Sequence, residues 1–315
     1  MNNQPKIALG TWSWGAGFAG GDQVFGNRLS ETQMQETFDT AMQHGLNLWD
    51  TAAVYGMGSS ETALGKVIAD RRSKVILSTK FTPQIADKTV ENPVAAMLEA
   101  SLQRLHTDHI DIYWIHNPQN VEKWTPLLIP LLQSGKVKRV GVSNHNLAQI
   151  QRAHELLTAA GYVVSAVQNH YSLLYRASER AGILDFCQKN GMDFFAYMVL
   201  EQGALSGRYT PQTPLPAGSQ RAETYNKILP QLAKLTRKMA EIGARHGGAS
   251  VAQIAIAWAI AQGTLPLIGV TQADQVKEAA QAVGIALSAT EIAELETLSE
   301  AAGVDTRGAW EKPMV

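Results

Sequence analysis

Three side chains that could carry out acid–base chemistry lie at the ends of short apolar segments, and a tyrosine lies close to one of them. Asp50 ends "LNLWD", Lys80 ends "KVILSTK", His116 follows "IDIYWI", and Tyr55 comes five residues after Asp50. A lysine at the end of a buried segment must reach solvent or pair with a carboxylate, because an unpaired buried ammonium is costly. We expect Asp50 to be that partner. A cation beside Tyr55 favours its phenolate and would lower its pKa toward the range useful for a general acid.

Polar residues also mark the ends of three later apolar segments. Ser143 and Asn144 follow "VKRVGV", Gln168 ends "VVSAVQ", and Tyr197 ends "MDFFAY". Any one of these residues could be an ordinary turn residue. Six successive segments that end in polar groups are difficult to attribute to chance, so we interpret them as parts of one site.

Eight apolar segments alternate with longer segments of helical periodicity. Parallel strands need long crossovers, so this alternation predicts a parallel sheet, and eight such units are typical of a (β/α)8 TIM barrel. We predict a single domain over 1–315, a long loop after strand seven and extra C-terminal helices near 228–246, 250–261 and 289–301. Active sites of such barrels lie at the carboxyl ends of the strands, where all of these polar groups would meet. The predicted strands are 7–12, 46–50, 74–80, 110–115, 137–142, 163–168, 192–197 and 265–269.

A glycine pattern, G-x-G-x-x-G at 15–20, follows the first predicted strand. A dinucleotide-binding fingerprint opens a helix directly after its strand and has an acidic residue about 20 positions later. Here the capping box of Ser30 with Gln33 predicts that no helix begins before about residue 30, and Asp39 falls in the middle of that helix. We therefore interpret the glycines as a loop at the substrate entrance, carrying Trp14 and Phe18. Further helix starts are predicted at Asn92-Pro93, Ser250 and Ser288.

The composition excludes several functional classes. The formal net charge is −1, from 27 basic and 28 acidic residues, which gives no electrostatic basis for binding nucleic acid or an anionic membrane. The single cysteine, Cys187, excludes an intrachain disulfide and is expected to be a buried thiol. No apolar segment is long enough to span a bilayer, and no secretory signal is evident, so a cytoplasmic protein is expected. The histidines lack ligand spacing, so we expect no metal site.

Taken together, these segments resemble the aldo-keto reductase superfamily over nearly the whole chain. The resemblance implies a barrel that binds NADPH or NADH in extended form without a Rossmann domain, with NADPH favoured, and that reduces an aldehyde or a ketone. The segments that carry it are "GTW" at 10–12, "WDTAAVYGMGSSETALG" at 49–65, "STK" at 78–80, "DIYWIHNP" at 111–118, "GVSN" at 141–144, "VQNHYSLL" at 167–174, "AYMVLEQGALSGRY" at 196–209 and "LIGVTQADQV" at 267–276.

The resemblance also implies roles for individual residues. Tyr55 is implied as the proton donor, Lys80 and Asp50 as the pair that tunes it, and His116 as the group that orients the substrate carbonyl. Ser143, Asn144 and Gln168 are implied to hold the nicotinamide carboxamide, Tyr197 to stack on its ring, and 269–275 to bind the adenosine phosphate. The full set of implied cofactor contacts is Thr11, Trp12, Ser143, Asn144, Gln168, Tyr197, Leu200, Gly269, Thr271 and Gln275. The expected walls of the substrate pocket are Trp12, Trp14, Met57 and Trp114.

The sequence departs from the family in the loops that hold the phosphates. Members that prefer NADPH commonly carry Arg or Lys after strand eight, whereas Thr271, Gln272 and Gln275 are neutral here. Arg208 or Arg221 could supply the missing charge. Glu201 is expected to bring a negative charge near the pyrophosphate.

Two alternative functions stay open from the sequence alone: a cofactor-binding regulatory or sensor protein with very slow turnover, and a barrel enzyme that uses no nicotinamide. The identity of the carbonyl substrate depends on the conformation of four loops, 13–29, 117–124, 201–226 and 303–315.

Overall fold

Eight parallel strands close into a barrel in the computed structural model, which describes residues 5–314. Each strand pairs with the next, and β8 pairs with β1. The predicted (β/α)8 architecture is confirmed, and each predicted strand overlaps an observed one. The strands are β1 (Ala8–Gly10), β2 (Leu48–Asp50), β3 (Ile76–Phe81), β4 (Ile110–Ile115), β5 (Val137–Ser143), β6 (Ala166–His170), β7 (Asp193–Tyr197) and β8 (Leu265–Gly269).

Helices fill the connections between the strands, and short 3-10 turns occupy several loops. The α-helices are α1 (Gly21–Val24), α2 (Glu31–Gln43), α3 (Ser59–Ile68), α4 (Pro93–Arg104), α5 (Val121–Trp124), α6 (Ile129–Gln133), α7 (Leu147–Thr158), α8 (Ala177–Arg180), α9 (Ile183–Lys189), α10 (Gln220–Tyr225), α11 (Leu229–Arg245), α12 (Val251–Ala261), α13 (Ala273–Ala282) and α14 (Ala289–Ala302). The 3-10 turns are Trp12–Trp14, Tyr55–Gly58, Ala69–Lys74, Pro83–Ile85, Pro126–Leu128 and Glu201–Gly203.

Side-chain caps fix where several of the helices begin. Ser30, Ser250 and Ser288 each accept a hydrogen bond from the backbone N–H three residues later, and the side chain at that position bonds back to the serine N–H. Asn92 caps α4 ahead of Pro93 in the same way, by accepting from the N–H of Ala95. Such caps satisfy N–H groups that have no partner inside the helix. All four predicted helix starts are therefore confirmed.

The strands alternate between an inner and an outer face, which separates the core into two parts. Inward residues such as Ile112, Trp114 and Phe195 form a small core inside the barrel, whereas Tyr113 and Ile115 pack outward against the helices. The six buried residues of the inner core are Ala8, Leu48, Ile112, Trp114, Ala166 and Phe195. Lys80 lies opposite Trp114 in the β3–β4 register. A lysine at the carboxyl end of β3 is thus placed directly above an apolar plug.

Several element boundaries differ from the sequence prediction, and two of the differences bear on the site. Strand β6 continues to His170, two residues beyond the expected end at Gln168. The expectation that no helix begins before residue 30 is wrong, because the one-turn helix α1 starts at Gly21. The backbone packs so tightly here that a Cβ on Gly21 would lie 2.2 Å from the carbonyl oxygen of Ser13. A turn of four residues is still not the long helix that a dinucleotide fingerprint requires.

Candidate active site

A buried lysine joins three neighbouring groups at the carboxyl rim of the barrel. Lys80 Nζ pairs with Asp50 Oδ2, donates to the carbonyl oxygen of Thr51 at 2.8 Å, and lies 3.3 Å from Tyr55 Oη. An ammonium has three N–H donors, and each of these acceptors takes one. Ser78 Oγ and Gln168 Nε2 also donate to Asp50 Oδ1, at 2.5 and 3.2 Å. The predicted Asp50–Lys80 pair is present in the structure, and its orientation is fixed from both sides.

The pKa of Tyr55 differs from the sequence expectation. Burial raises the pKa of Tyr55, and the attraction of Lys80, which lowers it, only partly offsets burial. Burial alone would lower the pKa of Lys80, but Asp50 and Tyr55 outweigh it, so this pKa is raised. The expectation of a lowered phenol pKa is therefore wrong, because burial of Tyr55 outweighs the attraction of Lys80, and the negative charge of Asp50 adds to the effect of burial. Tyr55 is held as a neutral phenol beside a charged lysine.

His116 stands on the other side of Tyr55. The two rings meet edge to face with centroids 5.9 Å apart, and His116 Nδ1 lies 3.0 Å from the hydroxyl of Thr82. Burial, helped by the positive charge of Lys80, lowers the pKa of His116 well below 6.5. His116 is therefore a neutral imidazole at physiological pH.

Asn144 connects three of the predicted site residues. It adopts a left-handed conformation (φ 61°), donates from Nδ2 to the carbonyl oxygen of His116 at 2.9 Å, and accepts at Oδ1 from Tyr197 Oη at 2.6 Å. Ser143 precedes it at the end of β5, within 3.3 Å of its amide. Asn144 therefore holds Tyr197 and the β4 end at a fixed spacing, while its Oδ1 retains a second lone pair for a ligand.

A cavity of about 890 Å³ is lined by Asp50, Tyr55, His116 and Asn144, whereas Lys80 lies behind its wall. Ligand pockets commonly have volumes of this order. At one end Trp12 stacks on Tyr55 with centroids 5.4 Å apart, and the rings of Phe25 and Trp310 pack edge-on against Trp12. Predicted site residues in the cavity wall are Trp12, Asp50, Tyr55, His116, Ser143, Asn144, Gln168, Tyr197, Leu200, Gly269, Thr271 and Gln275.

Two arginines also line the cavity, and the guanidinium of Arg221 lies 5.9 Å from the ring centroid of Phe25. Arg208 faces Glu278 on α13 at 3.5 Å, and Arg221 donates to the carbonyl oxygen of Gln202 at 3.3 Å. Arg221 Nε is buried and has no hydrogen-bond partner among residues 5–314. The side chain of Gln275 accepts a hydrogen bond from the backbone N–H of Thr271 at 2.7 Å. This N–H is one of the donors expected for a phosphate, and Gln275 already occupies it. Arg208, Arg221 and Lys312 are therefore the positive charges in the described cavity wall, and Arg208 is already paired with Glu278.

Four predicted contacts are not in the cavity wall. Trp14 is buried, donates from Nε1 to the carbonyl oxygen of Val270 at 2.7 Å and packs on Trp49. Trp114 belongs to the inner core of the barrel, and Met57 is exposed to solvent outside the cavity. Thr11 is buried and hydrogen-bonds to Asp50 O and Ser60 Oγ. These four residues thus support the site or lie beside it. The sequence prediction placed them in the cavity wall because a pattern of apolar residues does not specify which face each residue occupies.

Other features of the site were not expected from the sequence. Glu201, predicted near the pyrophosphate, is completely buried and turned away, accepting hydrogen bonds from His170, Ser172, Tyr225 and Thr306. The C-terminal tail contributes Trp310 and Lys312 to the cavity wall. The only sequence signal for them was the aromatic residue in "RGAWEKPMV" at the end of a segment expected to influence substrate choice.

Two classes of feature are not found in the described part of the chain. Residues 5–314 contain no group of three or more side chains placed to hold a metal ion. None of the helices formed by these residues is both long and apolar enough to cross a membrane.

Comparison with known sequences gives a consistent family signal. The sequence model of the Aldo/keto reductase family matches residues 6–300. A chloroplastic pyridoxal reductase of Arabidopsis thaliana is 32% identical over 92% of this chain and 82% of its own length. An aldo-keto reductase of Schizosaccharomyces pombe described as NADP(+)-dependent is 29% identical, over 87% of this chain and 85% of its own length.

Comparison of folds agrees with the sequence comparisons. The crystal structure of an aldo-keto reductase from Klebsiella pneumoniae in complex with NADPH superposes with a TM-score of 0.72. It is 27% identical, and the alignment covers 94% of this chain and 91% of that one.

Proposed function

Because the chain belongs to the aldo/keto reductase family and is an NAD(P)H-dependent oxidoreductase, we propose that it reduces an aldehyde or ketone with Tyr55 as the proton donor. The observation that carries this proposal is the arrangement of Asp50, Lys80, Tyr55 and His116 around one end of a single cavity.

The cavity fits a nicotinamide dinucleotide. When bound, this cofactor supplies the hydride for the carbonyl carbon. Asn144 Oδ1 and the amide of Gln168 offer hydrogen-bonding groups to a carboxamide, and the ring of Tyr197 offers a flat surface beside them. Elsewhere in the cavity wall, the unpartnered Nε of Arg221 and the side chain of Arg208 suit phosphate groups. These two arginines, together with the NADPH-bound relative, support NADPH as the preferred cofactor.

Proton donation follows from the hydrogen bonds of the phenol. Tyr55 Oη accepts from Lys80, so its own O–H hydrogen must point toward a different acceptor. None of the described residues supplies one, and Tyr55 lines the cavity. We infer that the substrate carbonyl oxygen is the acceptor. The charged Lys80 would stabilise the phenolate that forms when the proton leaves, which is where preorganised donors contribute most to rate.

His116 would hold the same carbonyl oxygen from the other side. A neutral imidazole donates from one nitrogen only. We assign the tautomer in which the Thr82 hydroxyl, 3.0 Å away, donates to Nδ1, which leaves the hydrogen on Nε2. The resulting pair of donors, Tyr55 Oη and His116 Nε2, would orient the carbonyl and polarise it.

The aromatic residues in the cavity wall favour a substrate whose body is apolar or planar. Trp12, Phe25 and Trp310 surround the end near Tyr55, so the body of the substrate would contact aromatic faces and edges. Because one relative is named as a pyridoxal reductase, aromatic and heteroaromatic aldehydes, including pyridoxal, belong in the first substrate panel.

The test compares the wild type with Tyr55→Phe in cofactor binding and in multiple turnover. We expect Tyr55→Phe to lower kcat by about 10²- to 10⁴-fold, the usual contribution of a general acid, while the Kd for NADPH is unchanged. Tyr162→Phe, a phenol remote from the cavity, is the matched control. Near-normal turnover of Tyr55→Phe would refute the assignment. Wild-type protein that binds NADPH but turns over no carbonyl would favour a cofactor-binding sensor.

A further inference from the structure

A buried histidine lies between two buried carboxylates, outside the cavity. His170, the last residue of β6, places Nε2 2.9 Å from Glu201 Oε1, and its Nδ1 lies 3.0 and 3.2 Å from the two oxygens of Glu311. His170 and Glu201 are 0% exposed and Glu311 is 6% exposed. None of the three takes part in the proton transfer proposed above.

The hydrogen bonds imply that the ring carries a positive charge. Ionised carboxylates only accept hydrogen bonds, so a ring nitrogen that faces one must donate, and both ring nitrogens of His170 face one. Tyr175 stacks on the ring with centroids 4.2 Å apart, and Tyr197 lies on it at 5.6 Å. Tyr225 Oη also donates to Glu201, at 2.7 Å. Glu201 and Glu311 outweigh the effect of burial and raise the pKa of His170 to about 9.

One carboxylate belongs to the loop after β7. Residues 198–203 form this loop, and Met198, Glu201 and Gln202 have left-handed φ angles of 62°, 46° and 51°. Such conformations are unfavourable for residues other than glycine and persist only where surrounding contacts hold them. The loop supplies Leu200 and Gln202 to the cofactor side of the cavity. The hydrogen bonds of Glu201 are therefore part of what holds the cofactor side in shape.

The other carboxylate belongs to the C-terminal tail, residues 303–314. Trp310, directly before Glu311, packs edge-on against Trp12 with centroids 5.8 Å apart at the substrate end of the cavity. Trp310 is 43% exposed, so packing of its ring holds the tail only in part and polar contacts of its neighbours add to it. The tail is tied down by Glu311 on His170, by Met314 Sδ, which accepts from Asn169 Nδ2 at 3.5 Å, and by Thr306, which donates to Glu201 at 3.1 Å.

We propose that His170 is a positioning residue for carbonyl reduction: it holds Trp310 at the substrate end through Glu311 and the β7 loop at the cofactor end through Glu201. The proposal rests on the proposed function. The proposal predicts different effects for loss of Glu311 and loss of His170. Loss of Glu311 releases the tail alone, whereas loss of His170 releases the tail and the loop together.

The first test measures backbone mobility and does not depend on activity. Hydrogen–deuterium exchange is followed by mass spectrometry in peptides covering 303–314 and 198–206, without ligands. We expect Glu311→Leu to increase exchange by about tenfold in the tail only, and His170→Gln to increase it in both segments, since bonds to charged groups contribute about that factor or more. Asp305→Asn, an exposed carboxyl in the same tail, is the matched control and should change neither.

The second test separates KM from kcat. Glu311→Leu should raise KM for an aromatic aldehyde by about tenfold with little change in kcat or in the Kd for NADPH, because only the substrate wall is released. Glu311→Gln keeps an acceptor for His170 Nδ1 and should recover part of the loss. His170→Gln should weaken the binding of both the aldehyde and NADPH.

Three results would overturn the proposal: unchanged tail exchange in Glu311→Leu, unchanged loop exchange in His170→Gln, or increased tail exchange with an unaltered KM. If His170→Gln does not fold, Glu311→Leu and Tyr225→Phe together replace it, because Tyr225 Oη bonds to Glu201 on the loop side. Absence of any wild-type turnover would refute the proposed function and the kinetic half of the proposal, while exchange would still decide whether His170 joins the two segments.

Discussion

Raising the pH should destabilise the protein through His170. The folded state raises the pKa of this histidine from 6.5 to about 9, because Glu201 and Glu311 outweigh burial. A group whose pKa is raised by folding stabilises the protein fully below its unfolded pKa. That stabilisation is lost as the pH rises toward the folded value. The affected window is therefore about pH 6.5 to 9.

The size of the effect follows from the two pKa values. Each pH unit of difference corresponds to about 1.4 kcal/mol, so the full stabilisation is about 3 kcal/mol. Integration between pH 7 and pH 9 gives a loss of about 2 kcal/mol in the free energy of unfolding. With an unfolding entropy of about 2.1 cal/mol/K per residue, this lowers the melting temperature of a 315-residue chain by about 3 °C.

The assay is guanidinium unfolding of the wild type, His170→Gln and His44→Gln at several pH values between 7 and 9. His44 is an exposed histidine at the end of α2, so its variant should follow the wild type. The stability difference between the wild type and His170→Gln should shrink by about 2 kcal/mol over this window. NMR titration of labelled histidines, with the His170 signal identified by its loss in His170→Gln, reads the same equilibrium directly. Parallel stability curves, or a His170 signal that titrates near 6.5, would refute the charge assignment.

Three further predictions concern the site and its supporting loop. Lys80→Met should lower kcat by about 10²-fold or more at neutral pH and change the shape of the pH–rate profile, because the phenolate loses its stabilising cation; an unaltered profile would contradict the coupling. Gly21→Ala should destabilise the fold by about 1–3 kcal/mol in thermal unfolding, since the added Cβ would lie 2.2 Å from Ser13 O, whereas Gly284→Ala, whose nearest neighbour is 3.6 Å away, should be tolerated. Arg221→Ala should raise the Kd for NADPH by about tenfold in a fluorescence titration, and a Kd equal to that of the wild type would exclude Arg221 as a phosphate contact.

The barrel could be predicted from the sequence because its signals are local. Each strand is a short apolar run, and α2, α12 and α14 each begin at a capping side chain three residues from its partner. The position of Asp50 beside Lys80 also follows from the topology alone, since consecutive strands are neighbours in a parallel barrel. These inferences needed no knowledge of how distant segments pack.

The faces of the aromatic residues could not be predicted in the same way. Trp12, Trp14 and Trp114 all follow or lie in apolar runs, yet only Trp12 lines the cavity. Trp114 is taken into the barrel because Gly141 on β5 leaves room for its ring; a Cβ there would lie 2.4 Å from the indole. Trp14 is drawn into the core by the carbonyl oxygen of Val270, which is 256 residues away in the sequence. Both outcomes depend on partners that the local pattern does not contain.

The protonation states depend on distant partners even more strongly. Lys80 beside Tyr55 suggested a lowered phenol pKa, but the sequence did not reveal how deeply Tyr55 would be buried or that Asp50 would oppose the effect of the lysine. His170 shows the opposite case. Alone in a buried strand, an imidazole would be neutral, yet Glu201 and Glu311, 31 and 141 residues away, keep it charged. Removing either carboxylate from a buried cation held between two of them is costly, because it leaves buried charge without its partner. The same arrangement that makes the charge of His170 hard to predict from the sequence therefore makes it suitable for holding the β7 loop and the C-terminal tail in a single geometry.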